Sequence, residues 1–174
     1  MKTFNKTILV LLAVVAISLT SCKKDDDGDG GGGDGAASGT ISAKVEGSGD
    51  LTTTQQLTSG QIVTGGGVST LVITGSNNNG RNISLTVNGY DGNGSYDVGG
   101  SNSVFVVATY TEVDASNPQN AESWVAPYDT SVAGEVNITE SSATKIKGTF
   151  TFRGKSNQDG SFKNITEGTF DVNL

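Results

Sequence analysis

A chain without a single His leaves acid–base chemistry to its carboxylates and lysines, and leaves metal binding to oxygen ligands. Asp91, Asp97, Glu112, Asp114, Glu122, Asp129, Glu135, Glu140 and Glu167 could supply the acid and base of a two-carboxylate hydrolase, which must stand at a defined separation in a cleft. Nearly all of them sit beside Gly, Asn or Ser in turn sequences, or on outward positions of alternating segments, where water solvates them. The chain is therefore read as not an enzyme, with a carboxylate-dependent hydrolase as the last of three alternatives. Asp91-Gly92-Asn93-Gly94-Ser95 alternates oxygen side chains as calcium loops do, and Asp25, Asp27, Asp29 and Gly30 match the first half of an EF-hand loop. The first lacks a bidentate acid at the right distance and the second has Ala36 at its twelfth position, so neither a metal nor a cofactor is expected. A third chemistry is stacking: Tyr110, Trp124 and Tyr128 could hold a sugar ring or a protein partner, with Tyr90 and Tyr96 as further aromatics. The competing account puts Trp124 in the core and lets the tyrosines bury their rings with the hydroxyl wet.

The one Cys has a more specific setting. Lys2 and Lys6 precede an unbroken run of apolar or small residues from Ile8 to Leu19, and Leu19-Thr20-Ser21-Cys22 closes it. As a helix those twelve residues would reach roughly 18 Å at 1.5 Å per residue, short of a hydrocarbon layer of ~30 Å. Residues 1–21 read as a cleaved signal, and the last four letters as a lipobox. In that chemistry the Cys22 thiol takes a diacylglyceryl group, and its amine is acylated once cleavage has made it the N-terminus. Two or three chains at about 0.8 kcal/mol per buried CH₂ anchor stably where one would not, which makes a membrane the first expected partner.

Residues 22–38 follow as a linker rich in Asp and Gly, unable to form a core because ordering Gly is costly in entropy and the Asp charges repel. Lys24, Asp25 and Asp26, directly after the anchor, resemble an export signal that carries lipoproteins through to the outer face of the outer membrane. The expected location is thus the outer membrane and its cell surface, with the periplasmic face as the alternative. Beyond residue 21 the chain carries 9 basic and 18 acidic side chains, a balance that argues against nucleic acid as a partner.

The elements that would position any site lie in residues 39–174, where nearly half the residues are Gly, Ser, Thr or Asn and the apolar ones alternate with polar ones in short runs. This is the pattern of half-buried strands, and the fold class is all-β: a single antiparallel β-sandwich or small β-barrel. Ile41, Ala43 and Val45 form one face of a first strand, and Leu51 to Leu57 is ambiguous between strand and loop. Val68 to Thr74 and the strand of Ile83, Leu85 and Val87 form a hairpin across Asn- and Gly-rich residues 75–80. Ser95 to Val98 and Ser103 to Glu112 come next, the apolar run Val104 to Ala108 suggesting a strand covered on both sides. A long connection over 114–122 leads to Ser123-Trp124-Val125-Ala126. In the last third, even residues from Val136 through Phe150, Phe152 and Phe162 to Leu174 are expected inward, with Lys145, Lys147 and Arg153 outward. Gly148 and Gly168 are each expected to let an aromatic of the neighbouring strand lie on the backbone.

Gly94-Ser95-Tyr96, Gly134-Glu135-Val136-Asn137-Ile138-Thr139, Ile146-Lys147-Gly148-Thr149-Phe150-Thr151-Phe152 and Ile165-Thr166-Glu167-Gly168-Thr169-Phe170 resemble a family of short Bacteroidota lipoproteins that is itself a domain of unknown function. The resemblance implies an all-β exported lipoprotein and supplies no reaction. Three functions are carried forward: an interaction or accessory module, a glycan-binding module using Trp124 and nearby tyrosines, and the carboxylate hydrolase.

Overall fold

The computed structural model describes residues 38–100, 105–114 and 116–174. Cys22, Lys24, Asp25, Asp26 and the EF-hand-like run lie outside the described residues. Among those described, alternation of β-branched and polar residues builds β1 (Gly39–Val45), β2 (Gly49–Thr52), β3 (Thr58–Gly65), β4 (Val68–Ser76), β5 (Arg81–Asn88), β6 (Gly94–Gly99), β7 (Phe105–Val113), β8 (Ala121–Ala126), β9 (Val132–Ser141), β10 (Lys145–Ser156) and β11 (Phe162–Asn173). The fold is all-β, as the alternation predicts, with a 3-10 turn at Gln55–Leu57.

Among the described residues all eleven strands join one sheet, ten of them in the order β2-β1-β11-β10-β9-β6-β7-β5-β4-β3 and β8 beside that path. The sheet curls until its ends meet. Thr53 N–H donates to the Ile41 carbonyl of β1 at 2.9 Å and Thr54 N–H donates to the Ser76 carbonyl of β4 at 2.8 Å, so the segment after β2 stitches the first strand to the fourth. Buried Thr53 and Thr58 hydroxyls bond each other at 2.7 Å there, satisfying polar groups that the closure removes from water. Of the two expected architectures, the small barrel is the one formed.

The gap between β7 and β10 is filled twice. β8 pairs with Ala108–Val113 of β7 and with Lys155 and Ser156 of β10, while lower down β9 pairs β10 and β6 pairs β9. At Val98 and Val106, β6 meets β7 in parallel, so the sheet is mixed and not wholly antiparallel as expected. The interior is packed: Ile41, Leu71, Ile73, Ile83, Leu85, Val136, Ile146 and Val172 are all inaccessible to water, as small barrels fill their centre with side chains.

Two expectations about sidedness are corrected. β7 alternates, with Val106 and Ala108 buried but Phe105 exposed and Val107 half-buried, so it has one wet face. Phe162 points out and not in. The cause is a bulge opposite Phe150–Phe152, where Glu167 adopts φ +51° and the pairing slips from Gly168 to Ile165. Because the side-chain period of a strand is two, one extra residue moves the inward set from Phe170 and Gly168 to Ile165, and leaves Phe162 on the surface. The Gly148 and Gly168 expectation holds: Gly148 pairs with Phe170 and Gly168 with Phe150, and a Cβ added at Gly168 would meet the Phe150 ring at 2.7 Å.

Candidate functional site

Two groups of side chains stand out from the strand pattern, and they divide the three aromatics singled out above. Tyr110 of β7 and Trp124 of β8 are register partners, and their rings stack with centroids 5.8 Å apart. Both are buried, Tyr110 completely. A sugar therefore has no access to their faces, and the core account of Trp124 describes its position. Its indole N–H donates to Ser161 Oγ at 3.0 Å, which gives the buried ring the polar partner it needs.

Cations cover the other side of this pair. Lys163 of β11 sits 4.5 Å from the Trp124 ring and Arg81 of β5 sits 5.6 Å from the Tyr110 ring. Arg81 Nε donates to the Tyr110 hydroxyl at 2.6 Å, and that hydroxyl donates to Glu112 Oε1 at 2.5 Å. Lys163 Nζ reaches Glu112 at 3.6 Å and donates to Ser48 Oγ at 2.6 Å, while Arg81 also donates to the Asp50 carbonyl at 2.8 Å. Burial and the hydrogen bond to Glu112 push the Tyr110 hydroxyl above its usual range. Partial burial alone would raise the Glu112 carboxyl, but hydrogen bonds from Ser48 and Tyr110, with the charges of Lys163 and Arg81, leave it lowered. Glu112 is thus held ionised by its neighbours and is suited to fixing the strands around it. A general acid needs the opposite shift.

Glu122 lies opposite Glu112 on β8, and both line a cavity of about 320 Å³ with Asn79, Arg81, Asp114 and Asn120. The hydrogen bonds and charges already engaged by Glu112 occupy that carboxylate. Asp114, Asp129 and Asp159 each accept hydrogen bonds from a Ser two residues on, and these hold their carboxyls below the usual range, as turn carboxylates do. Among the described residues no group of three or more acidic or Cys side chains could hold a metal ion. Tyr96 folds over the Asp91–Ser95 turn, accepting from Asp91 N–H at 3.1 Å and donating to the Gly92 carbonyl at 2.7 Å.

Tyr128 has a different setting. It packs edge-on against exposed Phe162 at 5.2 Å between centroids, and Arg153 lies 4.0 Å over the Phe162 ring. Beside this pair runs an open groove of about 680 Å³ lined by Val125, Pro127, Tyr128, Asp129, Lys155 and Asn157. Of the three aromatics proposed for stacking, Tyr128 alone reaches solvent at a concave surface, and its companion is Phe162 and not Trp124. Sequence spacing gave no signal for this pairing, because it depends on the bulge that turns Phe162 outward. Nor did it bring together Arg81, Glu112 and Lys163, which come from three strands far apart in the chain.

The comparisons with known proteins locate this barrel in a family. No curated protein and no solved structure matches the chain. One family model does, described as a domain of unknown function (DUF6252), over residues 58–172, which runs from β3 into β11 and takes in the aromatic and charged side chains of both groups, though not Ser48. With that match covering well over half of its length, the chain belongs to the DUF6252 family.

Proposed function

We propose that this chain is a lipid-anchored lipoprotein of the outer membrane whose barrel is a non-catalytic interaction module displayed at the cell surface. The observation that carries the reading is the position of the sole Cys, Cys22, at the end of an apolar leader too short to span a bilayer and directly before an Asp- and Gly-rich linker. A packed interior supports the non-catalytic part: among the described residues the barrel's centre is filled by apolar side chains, and the buried Thr53 and Thr58 hydroxyls bond each other. Lys24, Asp25 and Asp26 support export to the surface. A protein partner and a glycan are the two ligands in view, and the acidic balance disfavours nucleic acid. In cells expressing the chain, Cys22→Ser should move the protein from the membrane fraction to the soluble fraction. Protease added to intact cells should degrade the wild type. Retention of the Cys22→Ser protein in the membrane would contradict the anchor, and protection until the outer membrane is opened would place the barrel in the periplasm.

A second reading has its own observation. Half-buried Tyr128 lines the groove with Asp129, Lys155 and Asn157, and exposed Phe162 packs against it under Arg153, so an aromatic ring stands beside hydrogen-bonding groups, the composition of a sugar-binding surface. Tyr128→Ala with Phe162→Ala should abolish retention on immobilised polysaccharide while the melting temperature falls by no more than a few degrees. Unchanged retention would remove this groove from consideration.

A further inference from the structure

From the unpaired edge of β3 we infer that the barrel associates with a second copy of itself, by antiparallel pairing of β3 with β3 about a two-fold axis at Val63. Among the described residues β3 pairs with β4 alone and is one end of the sheet. Gly66 and Gly67, at φ +60° and +81°, make a two-residue turn between them, so the flanking Gly65 and Val68 form a hydrogen-bonded pair. Alternation then assigns Gln61 and Val63 to the bonds with β4. It leaves the N–H and C=O of Ile62 and Thr64 aimed at the free edge.

Gly60 lies close to Val172, Asn173 and Leu174, where the barrel closes, but from Gln61 onward the edge carries none of the features by which monomeric sheets discourage pairing. Strand β3 has no Lys, no Pro and no inward charge, and Gln61 to Val68 are exposed throughout, Val63 at 56% and Ile62 at 39%. Charge selects the partner. Residues 39–174 hold 7 basic and 13 acidic side chains, yet no Asp, Glu, Lys or Arg occurs between Asp50 and Arg81. Two acidic copies repel over most of their surface, and this uncharged hairpin is where they can approach without bringing carboxylates together. A two-fold axis at Val63 places Ile62 opposite Thr64 of the other copy, giving about four interchain hydrogen bonds. It also sets Val63 opposite itself as a non-hydrogen-bonded pair, the arrangement in which side chains stand closest.

The geometry can be read by cross-linking the full chain in the cells that express it. A non-hydrogen-bonded pair has Cα atoms roughly 4.5 Å apart, within disulfide range. Val68, on the same hairpin and exposed at 54%, would lie one further strand away on each side, and Val132, exposed at 55%, is on β9. Mild oxidation of Val63→Cys should give a disulfide dimer of twice the chain mass, at least about tenfold above Val68→Cys, Val132→Cys and the unsubstituted chain. Equal yields at 63 and 68, no dimer at 63, or an adduct of any other mass would overturn the proposal. In parallel, sedimentation of the purified full chain should show a dimer that Val63→Lys converts to a monomer with its β-sheet circular dichroism intact. A monomeric wild type, or a Val63→Lys chain that remains dimeric, would equally overturn it.

Discussion

At the scale of single residues, close contacts set what can be changed. Gly168 faces the Phe150 ring across β10 and β11, and any Cβ there must displace it. Gly168→Ala should cost about 2–3 kcal/mol in urea unfolding, the range of overpacked cores, and a cost below 0.5 on the same order-of-magnitude scale would mean the rings are not fixed. Glu112 makes a different prediction. Its carboxyl is lowered in the folded state, so the unfolded chain takes up the proton first as pH falls. The stability it contributes is present above the ordinary carboxylate range and is lost as pH falls through the lower, folded value. Glu112→Gln should cost about 1–2 kcal/mol at neutral pH, because Arg81 and Lys163 lose their shared counter-ion, and should flatten stability between pH 5 and 3, these being rough limits for carboxylate titration. An unchanged acid limb in the variant would remove Glu112 from that role.

At the scale of elements, the bulge in β11 governs the surface. Glu167 holds φ +51°, where a side chain is strained, and its ion pair with Lys44 is exposed and weak. Glu167→Gly should be neutral or stabilise by up to about 1 kcal/mol, whereas Glu167→Val should destabilise by about 1–2 kcal/mol. Equal effects of the two would show that the bulge is not held by this conformation. The same element explains where sequence reading failed. Alternation identifies strands whose faces differ, and so β1, β4, β5, β6 and the buried rows of β10 are legible from their letters. β3 was not, because Gln61 to Gly65 are exposed on both faces and leave no alternation to read. Leu51 to Leu57, ambiguous from sequence, divides into the end of β2 and a 3-10 turn. Alternation alone sets Phe162 inward, because a one-residue slip has no signature in composition. Trp124 and Tyr110 could be recognised as aromatics, but only the pairing of β7 with β8 shows that each covers the other.

At the scale of the molecule, the acidic balance and the packed barrel act together. With a formal net charge of −7, the protein should show no retention on a DNA or heparin column at physiological salt, and retention that salt reverses would reveal a basic patch. Lys145 and Lys147 do not add free positive charge: their ammonium groups are engaged by Asp171 at 2.8 and 3.4 Å, and Lys147 also by Glu140 at 3.4 Å. The barrel offers surfaces for binding, and the proposed role depends on its being held at a membrane through Cys22. The mass of the mature N-terminal peptide, from protein isolated out of the membranes of expressing cells, tests that claim most directly. The expected peptide begins at Cys22 and carries a diacylglyceryl thioether, with or without a further amide-linked chain. A mature N-terminus at another residue, or an unmodified Cys22, would contradict it.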